Sequence, residues 1–211
     1  VSVYGSFNQS APEVDPSSRA AFDTSIIDGG NAAKCVVFPA TVHSGRLDGF
    51  RLQNGYADDP DEDPATEANP LNNGAGVFCE GAGIIVANCF FTGCAASANG
   101  GGLDCWQNSE VTVDSCIFDS TTAGVSGGGL HTNGWNFDVG VAAPVSLAIA
   151  NCQFQNNNAL TWPGGGISIH NQTTFVMSST MFVNGAGWGG GGADLSYLMD
   201  VPDPVLTDCV F

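Results

Sequence analysis

Five glycine-rich starts recur along this 211-residue chain, and they constrain its fold more than any other feature. They are Gly74-Ala75-Gly76-Val77, Gly100-Gly101-Gly102-Leu103, Gly127-Gly128-Gly129-Leu130, Gly164-Gly165-Gly166-Ile167 and Gly190-Gly191-Gly192-Ala193, spaced by 26, 27, 37 and 26 residues. A second block follows each start: Asn88-Cys89-Phe90-Phe91, Ser115-Cys116-Ile117-Phe118, Asn151-Cys152-Gln153-Phe154, Ser179-Thr180-Met181-Phe182 and Asp208-Cys209-Val210-Phe211. Asp48-Gly49-Phe50-Arg51-Leu52 is a weaker earlier copy. Self-similarity at a fixed period marks a repeat architecture.

Aligning the blocks on their last Phe produces columns. Seven residues before it stand Ile84, Val111, Leu147, Phe175 and the exception Pro204; five before it, Val86, Val113, Ile149, Met177 and Leu206. Two before it stand Cys89, Cys116, Cys152, Thr180 and Cys209, each preceded by a small polar residue. The alternation has a period of two, so these are strands with one buried face. The small polar residue shifts the phase by one, as a bend between strands does. Helical periodicity is absent, and 29 glycines would destabilise helices.

A strand repeated every 26 to 29 residues cannot bury its face alone, but stacked coils bury every face. The expected fold is all-β: a parallel β-helix of about six coils, each about 4.8 Å above the last, forming a rod on the order of 25–30 Å long. Equivalent residues then form internal ladders, foremost Phe91, Phe118, Phe154, Phe182 and Phe211. Residues 1–211 read as one domain, with inserted loops at about 56–73 and 133–144. A β-sandwich also uses short strands and glycine turns, but it gives no reason for one column residue to recur at one period.

Charge narrows the function classes. Four Lys+Arg against 21 Asp+Glu give a net charge of −17, which leaves no basic stripe for nucleic acid or anionic lipid. No run reaches the 18 apolar residues of a membrane span.

The GGGL and NCxF blocks resemble the repeats of polymorphic outer-membrane-protein-type and other secreted bacterial right-handed β-helix proteins. Val3-Tyr4-Gly5-Ser6-Phe7, Ile27-Asp28-Gly29-Gly30 and Leu47-Asp48-Gly49-Phe50 are similar to an early region of large surface proteins of that kind. The resemblance covers nearly the whole chain. It implies a right-handed coil and a secreted or cell-surface location. It does not imply one activity, because the group spans adhesins, structural proteins and polysaccharide lyases.

Eight cysteines contain no CxxC pair. Cys79 and Cys105 share a column in adjacent coils, at a spacing a disulfide tolerates. The Cys89 column reads as reduced, buried thiols serving as small hydrophobes. Cys35 and Cys94 fall outside the columns and can pair with each other. Asp59, Asp61, Asp63 and Glu67 lie in a dense acidic run whose alternate spacing suits calcium, although Pro64 and Pro70 occupy positions where an EF-hand needs Gly and Glu. No other cofactor is indicated.

Groups able to act as bases or cationic clamps are scarce: Arg19, Lys34, His43, Arg46, Arg51, His131 and His170. Asp104, Asp114, Asp119, Asp194 and Asp208 could supply a hydrolytic carboxylate pair, but nothing in the sequence selects two of them. Trp162 and Trp188 each stand two residues before a glycine start, so they should stack on neighbouring coils: exposed, they would make a flat aromatic platform for sugar rings; packed, they cover a turn. Asn8-Gln9-Ser10 and Asn171-Gln172-Thr173 match the N-glycosylation pattern. Neither end carries a cap, which suggests either part of a longer surface protein or copies stacking end to end into a filament. The expectation is an extracellular structural or adhesive solenoid without catalysis, its partners being other copies or cell-surface glycans. The alternative is a carbohydrate-active enzyme or sugar-binding module on the same fold.

Overall fold

The structure, a computed structural model, describes residues 2–4, 25–60, 69–136, 140–188, 190–195 and 201–211. Among these residues the chain winds as a parallel β-helix. One coil runs through Val77–Glu80, Gly83–Ala87, Phe90–Thr92 and Ala95–Ala96 before the next begins at Leu103–Trp106. Stacking generates four parallel sheets. Sheet I contains Val36–Phe38, Val77–Glu80, Leu103–Trp106, Leu130–Asn133, Ile167–His170 and Ala193–Asp194. Sheet II has seven strands, Ser2–Tyr4 to Val205–Thr207, and sheet III six, Ile26–Asp28 to Met181–Val183. Sheet IV has four two-residue strands, Tyr56–Ala57 to Asn158–Ala159.

Register follows the sequence columns. Ile84, Val111, Leu147 and Phe175 are successive partners in sheet II, as are Val86, Val113, Ile149, Met177 and Leu206. The five ladder phenylalanines stack with centroids 4.4, 4.6, 5.2 and 4.9 Å apart and interplanar angles of 13° or less. Pro204 falls outside the last sheet II strand, which pairs only through Val205–Thr207.

The bends are built by left-handed backbone. Between sheets II and III stand Asn88, Ser115, Asn151, Ser179 and Asp208, with φ of 47–55°. Short polar side chains tolerate this conformation better than other non-glycine residues. Asn88 Nδ2 donates to Asp48 Oδ1 of the coil beneath at 2.9 Å, and Asn151 Nδ2 to Asp114 Oδ1 at 2.9 Å.

The glycine starts have two further jobs. A Cβ on the third glycine would meet the Phe ladder: from Gly102, Phe118 Cδ1 would be 2.6 Å away, and the equivalents of Gly76, Gly129 and Gly166 would be 2.7–2.8 Å from Phe91, Phe154 and Phe182. Glycine and Phe therefore recur together because one leaves room for the other. The first glycine, in the left-handed region at Gly74, Gly100, Gly127 and Gly164 (φ 62–82°), folds over the outer face of sheet I. A Cβ there would sit 2.6–2.8 Å from the Cβ of Phe78, Asp104, His131 or Ser168.

The first inserted segment leaves the coil after Tyr56–Ala57, which pairs with Ala95–Ala96 in sheet IV. Its described part includes a 3-10 turn at Pro70–Asn72. The second contains an antiparallel pair, Trp135–Asn136 with Val141–Ala142.

Candidate functional site

Sheet I carries the most chemistry on its outer face. Its inward residues, Val77, Leu103, Leu130 and Ile167 with Cys79, Cys105 and Ile169, belong to the core. The intervening residues point outward in two rows set by register: Phe78, Asp104, His131, Ser168 and Asp194, then Glu80, Trp106, Asn133 and His170. Outward residues of a solenoid normally meet water. Here Asp104, His131 and Ser168 are fully buried, and Trp106, Asn133 and His170 are at most 4% exposed. The glycine turns that fold over the first row are part of the cause.

His131 Nδ1 lies 2.8 Å from Asp104 Oδ1. The carboxylate fixes the Nδ1–H tautomer and leaves Nε2 as the basic atom. His131 meets His170 edge-on, with centroids 5.2 Å apart. Ser168 Oγ lies 2.9 Å from His170 Nε2, and Asp194 Oδ2 lies 3.3 Å from the same nitrogen. In a nucleophilic triad the acid and the hydroxyl use opposite ring nitrogens. Here Ser168 Oγ and Asp194 Oδ2 both approach Nε2, which is not the arrangement of a triad. Burial chiefly, and then His131, pull the His170 pKa down to about 4 against the opposing effect of Asp194, which leaves the ring neutral at pH 7.

Lys34 approaches the same face. Its Nζ donates to the carbonyls of Leu71 and Asn73 and lies 5.4 Å from the Phe78 centroid. Burial pulls its pKa down to about 8, with Asp104 acting in the opposite direction.

Among the described residues, four buried polar atoms of the two rows have no hydrogen-bond partner: Asp104 Oδ2, Trp106 Nε1, His131 Nε2 and Asn133 Nδ2. The Asn133 amide is oriented by Trp135 N–H and Asn171 Nδ2, which both donate to its Oδ1. Trp106 Nε1 and Asn133 Nδ2 are donors and Asp104 Oδ2 is an acceptor, and all three residues are buried.

The other sequence candidates are dispersed. Asp104 and Asp194 stand three coils apart on one row, about 14 Å at the rise of a parallel sheet, beyond the spacing of hydrolytic carboxylates. Asp114 and Asp119 accept from Asn151 and Asn156 at the bends. Arg46 pairs with Asp48 at 2.6 Å, and Arg51 lies 5.0 Å from the Phe90 centroid. His43 is exposed. Arg19 and Asn8 lie outside the described residues. The Asn171 side chain donates to Asn133 at 3.1 Å, so that acceptor pattern is engaged within the fold.

Of the acidic run, Asp61, Asp63 and Glu67 lie outside the described residues. The Asp59 carboxylate accepts from Asn69 Nδ2 at 3.0 Å, and its N–H donates to Asn72 Oδ1. Trp162 is 44% exposed and Trp188 88% exposed. Gly164 N–H donates to Gly190 O at 2.9 Å, so the two starts, and the Trp residue two places before each, belong to adjacent coils.

All eight cysteines are free thiols in this structure. Cys79 and Cys105 are direct register partners with no solvent exposure. In the bend column, Cys89 N–H points to Cys116 Sγ and Cys116 N–H to Cys152 Sγ, each at 3.4 Å, and Cys152 N–H to Thr180 Oγ1 at 3.5 Å.

The sequence named Asp104, His131, His170 and Asp194 singly but did not assemble them. Alignment on the last glycine of each start would have done so, because the second residue after it is Asp104, His131, Ser168 or Asp194 in four consecutive coils.

A solenoid of four parallel sheets with internal ladders is a parallel β-helix by class. The family model for a right-handed β-helix region matches residues 25–197, and the chain belongs to that family. Comparison with curated proteins and with solved structures finds no match. Among the described residues no helix is long and apolar enough to cross a membrane.

Proposed function

We propose that this chain is an extracellular, non-catalytic β-solenoid with an adhesive role, which holds neutral glycan against its surface. One observation carries the reading: Trp188 is 88% exposed and Trp162 44% exposed, on adjacent coils. Large aromatic side chains kept in water on a rigid scaffold mark a contact surface. An aromatic face offers apolar area at little entropic cost, which suits the C–H face of a sugar ring. A net charge of −17 favours neutral over anionic polysaccharide. The resemblance of the GGGL and NCxF blocks to polymorphic outer-membrane-protein-type repeats supports the surface location.

A carbohydrate-active enzyme is the second reading. It rests on the oriented, fully buried Asp104–His131 pair, which a polymer reaches only if the glycine turns packed over the row move.

Affinity electrophoresis through gels containing neutral glucan, mannan or xylan, or anionic polygalacturonate, tests the proposal. At least one neutral glycan should retard the chain, and polygalacturonate should not. Trp162→Ala combined with Trp188→Ala should weaken retention at least tenfold, with an unchanged melting temperature. Absence of retardation by every neutral glycan, or retention unchanged in the double variant, overturns the reading. Release of reducing ends or unsaturated sugars would put the enzyme in its place.

A further inference from the structure

Cys35 and Cys94 differ from the other six cysteines. Cys79 and Cys105 are sealed in the core. Cys89, Cys116, Cys152 and Cys209 stand in the bend column, where Thr180 separates Cys209 from the other three. In that column the sulfur of Cys116 or Cys152 accepts from the coil beneath and also reaches a carbonyl two residues back.

Cys35 and Cys94 are 59 positions apart, yet Cys35 packs against the small buried cluster that contains Cys94. Cys35 Sγ lies 3.5 Å from Gln53 O, and Cys94 Sγ lies 3.8 Å from Leu52 O, so both sulfurs sit over one two-residue stretch of sheet III. With Ala57, Ala75 and Ala96 they form a small cluster separate from the main core. Access to the pair is one-sided: Cys94 is 1% exposed, whereas Cys35 is half-buried.

We infer that Cys35 and Cys94 are the oxidisable pair of this chain and close a disulfide with a small disulfide oxidant, while the ladder cysteines stay reduced. Cys94 beside it lowers the Cys35 pKa against the opposing effect of burial. Cys35 beside it, and then burial, push the Cys94 thiol up. The exposed member is therefore the attacking one and the buried member the resolving one. Cys35 thiolate attacks one sulfur of oxidised glutathione, forming a mixed disulfide and expelling one glutathione thiolate. Cys94 then loses its proton and attacks the Cys35 sulfur, expelling the second. Two protein thiols become one disulfide as one oxidised glutathione becomes two reduced. The bridge would link the strand start at Val36 to that at Ala95, around the inserted segment between them.

The test uses the full chain. It is incubated folded with oxidised glutathione, quenched with acid, unfolded, alkylated with iodoacetamide and mapped by peptide mass spectrometry. The expected result is one Cys35–Cys94 linked peptide and six alkylated cysteines. Cys94→Ser should trap glutathione on Cys35, and Cys35→Ser should take up none. A Cys79–Cys105 link, eight alkylated cysteines, or Cys94→Ser without glutathione overturns the inference. The wild-type map stands even if a variant fails to fold.

Discussion

At the bend between sheets II and III, the left-handed residue turns the next N–H out of the sheet ladder and toward the coil above. The side chain two residues before the ladder Phe then serves twice. Cys116 Sγ accepts from Cys89 N–H at 3.4 Å and reaches Asp114 O at 3.3 Å. Thr180 fills the same role with a hydroxyl, accepting from Cys152 N–H and donating to Ser178 O at 2.9 Å. The column therefore requires a small group that both donates and accepts, and sulfur and a hydroxyl both qualify. Cys116→Ala leaves a buried N–H unpaired, at about 1–3 kcal/mol, and adds a small cavity. Cys116→Thr keeps both contacts and should cost less than about 1.5 kcal/mol. Urea denaturation of the two variants under reducing conditions checks the ranking; equal losses would mean that the sulfur contributes volume alone.

Sheet I shows how an element acquires a buried polar face. Each glycine start bends back over the strand it introduces, so that Asp104, His131 and Ser168 lose water although they point away from the core. His170, in the neighbouring row, then binds its proton less readily than it would in the unfolded chain. Its pKa is about 4 against an ordinary 6.5, chiefly through burial and then His131. Because the unfolded chain takes up the proton first, stability is complete above pH 6.5 and falls as the pH drops toward 4. Between pH 6.5 and 5 this group alone should cost roughly 1.5 kcal/mol. His170→Gln should flatten that slope in denaturation series at fixed pH, and an unchanged slope would show that other groups carry the acid response. The phenylalanine and cysteine columns were legible in the sequence because side chains that fill one interior must recur at one phase. The polar row was less legible, because burial of Asp104 or His131 depends on the turn that covers it and not on its own strand pattern. The 37-residue interval also displaces Ser168 from a simple period. Trp162 and Trp188 were legible through their fixed offset from the glycine starts.

At the scale of the whole molecule, coils support one another only through their neighbours, so the value of a ladder residue depends on how many sides are covered. Phe118 has Phe91 at 4.4 Å and Phe154 at 4.6 Å, and is fully buried. Phe118→Ala removes a ring from a packed interior that Gly102 has been shaped to fit, and should cost about 3–5 kcal/mol. Phe118→Ala together with Phe154→Ala should depart from the sum of the single losses, because adjacent cavities share a wall. Urea midpoints and slopes of the four proteins measure this. A loss of less than about 1 kcal/mol at Phe118 would contradict a continuous ladder as the source of stability. A changed denaturant slope in Phe118→Ala alone would mean that the coils on either side of the gap had begun to unfold separately.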